Sequence, residues 1–128
     1  MIKKFIKKYL ELQPAMEIKD HDLEYFLWIC NLYLQIDSIP GHIAEVGVAG
    51  GRNAVLFARL IQIHGDSNVR EYIGFDTFDG YNNDDLNRDK HLLNSNERWK
   101  AFSKKEVLDR CIANGVENEI EIFEGDAE

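Results

Sequence analysis

The chain has 128 residues, a length that fits one domain, and its 45% hydrophobic and 30% charged content is that of a soluble globular protein. A formal net charge of −8 excludes the basic face that a nucleic-acid backbone demands, while leaving small anionic or zwitterionic ligands open. Cys30 and Cys111 lie far apart with no CxxC or Cys/His spacing, which points to a reduced, cytoplasmic protein without structural zinc.

Met1 to Leu12 sets Ile2, Phe5, Ile6, Tyr9 and Leu10 at helical spacing with lysines on the outer face. This is an amphipathic helix, docked on its own domain rather than on a membrane, and Pro14 ends it. No apolar run approaches the roughly 18 residues needed to span a bilayer. The basic start lacks the continuous apolar core and small-residue cleavage site of a signal peptide.

A second helix is expected from Asp20 to about Ile36, with Asp20 as N-cap and Asp22 and Glu24 in its first turn. Leu23, Phe26, Leu27, Cys30, Tyr33 and Leu34 recur at three- and four-residue steps and read as its core stripe, which makes Cys30 a buried thiol. Trp28 falls off that stripe. Asp37-Ser-Ile-Pro-Gly41 turns the chain into the first strand.

The apolar run Ile43 to Val48, with Glu45 inside it, then breaks at Gly47 and at Gly50-Gly51. A helix follows from Asn53 to about His64 and ends at Gly65-Asp-Ser-Asn68. Strand, glycine turn and helix open a nucleotide- or nucleoside-binding α/β unit; a tight turn with no ligand is the plainer alternative. Arg70 to Asp76 reads as the second strand, closed by Thr77-Phe-Asp-Gly80. Tyr81 to Asn96 is a long polar loop, of the kind that serves as a lid. The third helix starts at about Asn96 or Ser103 and runs to Asn114. Gly115 is its C-cap, and Val107, Leu108, Cys111 and Ile112 form its inner face. Glu119 to Glu124 alternates as a third strand, and Gly125-Asp-Ala-Glu128 follows it.

Strands joined through helices pair in parallel with right-handed crossovers, giving the order 3-2-1. Their carboxyl ends then share one sheet edge. The glycine turn, Asp76 and Asp126 meet there, where such folds bind ligands. The glycines stand at 47, 50 and 51, so the dinucleotide fingerprint G-x-G-x-x-G fails, and no G-x-x-x-x-G-K-[ST] loop is present. Glu45-x-Gly47-x-Ala49-x-Gly51 instead fits the acidic-x-G-x-G-x-G opening of S-adenosylmethionine-dependent methyltransferases, with Ala49 in place of the middle glycine. A methionine tail wants N–H groups for its carboxylate and an acceptor for its ammonium. Asp76 offers two oxygens to a ribose diol, and Asp126 an acceptor for the adenine amino group.

Three runs sharpen this reading: Ile39-Pro-Gly-His-Ile-Ala-Glu-Val-Gly-Val-Ala-Gly-Gly51, Gly74-Phe-Asp-Thr-Phe-Asp-Gly80 and Phe123-Glu-Gly-Asp-Ala127. Together with Glu106-Val-Leu and Asn114-Gly-Val, they make residues 20 to 128 resemble the macrocin O-methyltransferase family of sugar O-methyltransferases. The resemblance implies a Rossmann-like parallel sheet preceded by two N-terminal helices. It divides the chain into a helical segment, 1–38, and the cofactor-binding half of a methyltransferase domain, 39–128. It implies S-adenosyl-L-methionine as cofactor, with Glu45, Gly47, Val48, Ala49 and Gly51 framing the methionine moiety. Asp76 would hold the ribose with Thr77 and Phe78 beside it, and Asp126 and Ala127 would border the adenine.

The family often carries Mg2+ near the acceptor hydroxyl. Its metal-binding and general-base acids follow a fourth strand, which by this resemblance would lie beyond residue 128, so no catalytic or metal residue is assigned. The expected half-sheet leaves the first strand's other edge open, which suits a fragment, a truncated product, or a homo-oligomer that completes its sheet with a second copy. The partner implied is a small-molecule acceptor. The histidines His21, His42, His64 and His91 read as surface or capping residues, with His91 alone on the polar loop. Asn82-Asn-Asp-Asp85 lacks the calcium-loop pattern and reads as solvated. Two other readings stand beside the methyltransferase: an NAD-dependent epimerase or oxidoreductase, and a non-catalytic remnant.

Overall fold

The computed structural model describes residues 19–80 and 102–126. The amphipathic segment at 1–12, the polar loop at 81–96 with His91, and Ala127 lie outside the described residues. In chain order the elements are α1 (Asp20–Gln35), β1 (Ile43–Val46), α2 (Arg52–His64), β2 (Tyr72–Asp76), α3 (Lys104–Ala113), a 3-10 turn (Glu117–Glu119) and β3 (Ile120–Glu124). The strands form one parallel sheet in the order β1-β2-β3, with Glu45 opposite Gly74 and Asp76 opposite Glu124. This is the expected α/β order, and it brings the three carboxyl ends to one edge.

Local chemistry explains the boundaries. Gly51 caps α2 in the left-handed conformation at φ 78°. An ideal Cβ on Gly51 would stand 2.8 Å from Val107 Cγ1, so glycine there both makes the turn and lets α3 approach. Ala54, Ala58 and Ile61 then recur at helical steps as the buried face of α2. Gly65 ends the helix at φ 76°: its N–H reaches the Gln62 carbonyl, and the Asp66 N–H reaches that of Ile61. Helix α3 starts with a capping box. The Ser103 hydroxyl accepts from the Glu106 N–H at 3.2 Å, and the Glu106 carboxylate accepts from the Ser103 N–H at 2.8 Å.

Several expected details change. Lys19, not Asp20, is the N-cap of α1, so Asp20 joins Asp22 in the first turn, where acids suit the helix dipole. The expected core stripe of α1 divides in two. Tyr33 is buried, with Ile29 beside it, whereas Leu23, Leu27 and Leu34 are exposed and Cys30 is half-buried. The helix carries two apolar stripes, and the one that docks also carries hydrogen-bonding aromatic rings. Strand β2 begins at Tyr72 because the Arg70 N–H donates to the Asp66 carbonyl at 2.9 Å and closes a turn; the Arg70 guanidinium donates to the carbonyls of Ile36 at 3.0 Å and Ile39 at 2.7 Å. Glu119 belongs to the 3-10 turn, buried and accepting from Gln62 Nε2 at 2.8 Å and Ser67 Oγ at 3.0 Å. Asn114 rather than Gly115 caps α3, and Ile112 is exposed rather than part of its inner face.

The core lies between the helices and one sheet face, around Tyr33, Ala58, Ile61, Tyr72, Cys111 and Ile122. Arg70 fastens α1 to it from below. Its guanidinium sits 5.6 Å over the Tyr33 ring and 3.8 Å from Asp66, whose carboxylate also accepts from the Tyr33 hydroxyl. On the opposite sheet face, Phe75 and Phe123 stack at 5.4 Å, and Val46 is 72% exposed. The outer edge of β1 has no partner among the described strands.

Candidate functional site

At the carboxyl edge of the sheet the strand ends are tied together through Asp76. Its carboxylate accepts from the Ala49 N–H through Oδ2 and from the Phe78 N–H through Oδ1, each at 2.8 Å. Its carbonyl accepts from the Gly125 N–H at 3.0 Å, and the Gly47 N–H donates to the Phe75 carbonyl at 2.8 Å. One aspartate thus joins the glycine turn, the loop after β2 and the end of β3. Ala49 and Phe78 both sit in the left-handed region, at φ 48° and 54°. Non-glycine residues there cost about 1–3 kcal/mol each, so the two charge-assisted bonds from Asp76 offset real strain. Such strain gathers where loops must hold a set shape for a ligand.

A second network lies two residues before Gly47. Glu45 Oε1 accepts from Asn53 Nδ2 at 2.6 Å, and Oε2 accepts from the Tyr72 hydroxyl. The Tyr25 hydroxyl on α1 donates to Asn53 Oδ1. Burial, and after it the bond to Glu45, pushes the Tyr72 phenol well above the ordinary tyrosine range, which keeps it a donor. No cation pairs with Glu45 among the described residues. Next to Asn53, Arg52 bonds Asp22 at 3.0 Å and lies 4.3 Å over the Tyr25 ring, so the first turn of α2 grips the first turns of α1.

The outer side of the turn is held by α3. Arg110 donates to the Gly50 carbonyl and lies 5.7 Å over the Phe102 ring. A Cβ at Gly50 would meet Arg110 at 2.9 Å and Phe102 at 3.2 Å. Nothing in the local sequence pairs Arg110 with a turn sixty residues before it. Asn53 and Tyr25 were equally silent, although the short polar Asn53 just after the glycines was a signal that could have been weighed.

Besides Glu45 and Gly51, the expected site residues among those described fall into three groups. Gly47, Ala49, Asp76 and Phe78 come together by direct hydrogen bonds or shared turns. Val48 is buried, with Cγ2 2.6 Å from where a Gly74 Cβ would stand, so its side chain serves packing and its backbone serves the turn. Thr77 makes a local turn, donating to the Gly80 carbonyl at 3.2 Å, and Asp126 is exposed at the same edge, two residues after β3. Among the described residues, no three His, Cys, Asp or Glu side chains stand together as a metal site, and no helix is long and apolar enough to cross a membrane. Burial pushes the Cys111 thiol up, which leaves it a packing group rather than a nucleophile.

No family model matches the chain, and no curated protein matches it. Solved structures do. CalS11, calicheamicin methyltransferase, is 26% identical with a TM-score of 0.62, over 96% of this chain and 56% of that one. The fold is methyltransferase-like. An apo structure of CalS11, a TDP-rhamnose 3'-O-methyltransferase in calicheamicin biosynthesis, is 23% identical with a TM-score of 0.53, over 96% of this chain and 53% of that one. The chain therefore spans about half the length of the solved structures it matches.

Proposed function

We propose that the chain is the cofactor-binding portion of an S-adenosylmethionine-dependent O-methyltransferase acting on a hydroxyl of a sugar or other small molecule. The observation that carries this is the joining of the glycine turn, Asp76 and the end of β3 at one sheet edge. The likeness to a calicheamicin methyltransferase supports it, as does the resemblance of the same motifs to macrocin O-methyltransferases. The donor set fits the cofactor. Glu45, held by neutral donors, has acceptor capacity left for an ammonium group. Asp76 gives one lone pair on each oxygen to a backbone N–H and keeps the others for a diol. Gly47, Val48, Ala49 and Gly51 would present backbone to the methionine end, Thr77 and Phe78 would flank the ribose, and Asp126 with Ala127 would border the adenine.

When bound, S-adenosylmethionine supplies an electrophilic methyl group on a sulfonium. The chain's own contribution is positioning: in-line displacement by an acceptor oxygen gains most of its rate from alignment. A base takes the hydroxyl proton, and neither that base nor a Mg2+ ligand is assigned among the described residues. We also propose a cytoplasmic location and self-association through the open β1 edge; light scattering tests the second, and a monomer at working concentration argues against it. The test of the function is calorimetry with S-adenosylmethionine and S-adenosylhomocysteine on the folded chain. Binding weakened at least tenfold by Asp76→Ala is expected from the loss of bonds to a charged acceptor. No heat with either ligand would refute the reading.

A further inference from the structure

We infer that Tyr25 and Asn53 are positioning residues of the cofactor site, acting through the Glu45 carboxylate from the helix that precedes the sheet. The inference rests on the reading that Glu45 receives the ligand's ammonium group. A carboxylate is acceptor-only, so the amide nitrogen of Asn53 must face Glu45, as it does at 2.6 Å. That leaves Asn53 Oδ1 facing the other way, and the Tyr25 hydroxyl donates to it. Glu45 sets the face of the amide, and the Tyr25 hydroxyl holds the other end of it, so the amide plane is pinned between sheet and helix. Without this hydroxyl, the amide is anchored at one end only and Glu45 loses the fixed donor that aims it.

Tyr25 is itself held. The Arg52 guanidinium covers its ring at 4.3 Å and is fixed by Asp22 at 3.0 Å, and the Trp28 ring packs beside it, tilted, with ring centroids 5.9 Å apart. On the sheet side, Tyr72 donates to the second Glu45 oxygen and is fully buried, stacked near Phe57 at 6.3 Å. Glu45 is therefore aimed by one residue from the sheet and by a two-step relay from α1. The relay crosses from a helix that sequence alone assigns to packing into the part of the site that reads charge.

The experiment uses two ligands that differ in the amino-acid end that bears the ammonium. S-adenosylhomocysteine carries the ammonium, and 5'-methylthioadenosine keeps the nucleoside but lacks the whole amino-acid end. Both are titrated calorimetrically into the wild-type chain, Tyr25→Phe, Asn53→Ala and Glu45→Gln. Positioning predicts that each variant loses about tenfold in affinity for S-adenosylhomocysteine and less than twofold for 5'-methylthioadenosine. A parallel loss for both ligands would mean general damage to the fold and overturns the inference. So does unchanged binding in Tyr25→Phe and Asn53→Ala while Glu45→Gln shows the selective loss. A wild-type chain that binds neither ligand sinks the methyltransferase reading itself, and the inference with it. Asn53→Ala keeps the test open should Tyr25→Phe fail to fold.

Discussion

Gly51→Ala is the sharpest probe of how the glycine turn is built. Gly51 is buried at φ 78°, and a Cβ there would lie 2.8 Å from Val107 Cγ1. Two costs add. The left-handed conformation costs a non-glycine residue about 1–2 kcal/mol. Relieving the contact in a packed core costs roughly 1–3 kcal/mol more, because α3 or the turn must shift. The sum, about 2–5 kcal/mol, is a large share of the about 5–15 kcal/mol that holds an ordinary domain together. Urea unfolding of the wild type, Gly51→Ala, Val107→Ala and the double variant separates the two terms. Val107→Ala removes the atom that clashes and should itself cost roughly 1–3 kcal/mol as a cavity. In the double variant the clash disappears, so it should be more stable than the sum of the singles by about 1–3 kcal/mol. Additivity to within about 0.5 kcal/mol, or a Gly51→Ala cost below about 1 kcal/mol, would refute the packing argument.

Two further outcomes follow from the fold. Ser103→Ala removes half of the capping box on α3 and should cost about 1 kcal/mol, a fall of about 4 °C in melting temperature, whereas Ser103→Gly should cost only a few tenths of a kcal/mol. Melting curves that coincide for the wild type and Ser103→Ala would count against the cap. Tyr72 has its phenol pushed up by burial, so the folded state holds that proton more tightly than the unfolded chain. The stability this gives is fully present below the ordinary tyrosine value of 10.0 and is lost as pH rises above it. Relative to Tyr72→Phe, the wild type should lose about 1.4 kcal/mol for each pH unit above 10.0. Urea midpoints at pH 9, 10 and 11 read this directly, and parallel curves for the two proteins would contradict it.

Much of the fold was legible because its signals are short-range. Glycine at 51 and 65 and the apolar period of α2 each mark an element without reference to the rest of the chain. Parallel order and the common carboxyl edge then follow from connectivity, and with them the nearness of Asp76 to the glycine turn. The face of α1 was not legible, because Leu23, Leu27 and Leu34 make as good an apolar stripe as Phe26, Ile29 and Tyr33. The choice between them is made by Arg52, Asn53 and Asp66 on other elements, which bond Asp22, Tyr25 and Tyr33. The start of β2 is hidden for a related reason: the Arg70 N–H is taken by the Asp66 carbonyl in a turn. Arg70 looks like a strand residue in its own neighbourhood, and its role is set by the carbonyls of Ile36 and Ile39, more than thirty residues earlier. Left-handed Ala49 and Phe78 were hidden because neither is glycine; Asp76, by accepting from both N–H groups, is what makes those conformations tolerable.

The two carboxylates at the site also bear on which ligand it takes. A phosphate or pyrophosphate is bound by free backbone N–H groups at a helix N-terminus, with no anion competing for them. In this turn the Ala49 N–H is already given to Asp76. Arg52, the cation at the start of α2, is paired with Asp22, and Arg110 is given to the Gly50 carbonyl. Glu45 and Asp76 are held by neutral amides and a phenol, with no cation pairing either among the described residues. A site so arranged disfavours the two adjacent charges of a pyrophosphate and retains acceptor capacity for an ammonium group and hydroxyls. Under the proposed function these would be the ammonium of the methionine end and the ribose diol. The failed glycine spacing and the charge distribution therefore argue for the same choice on independent grounds: spacing through backbone shape, and charge through the groups that the turn has already committed.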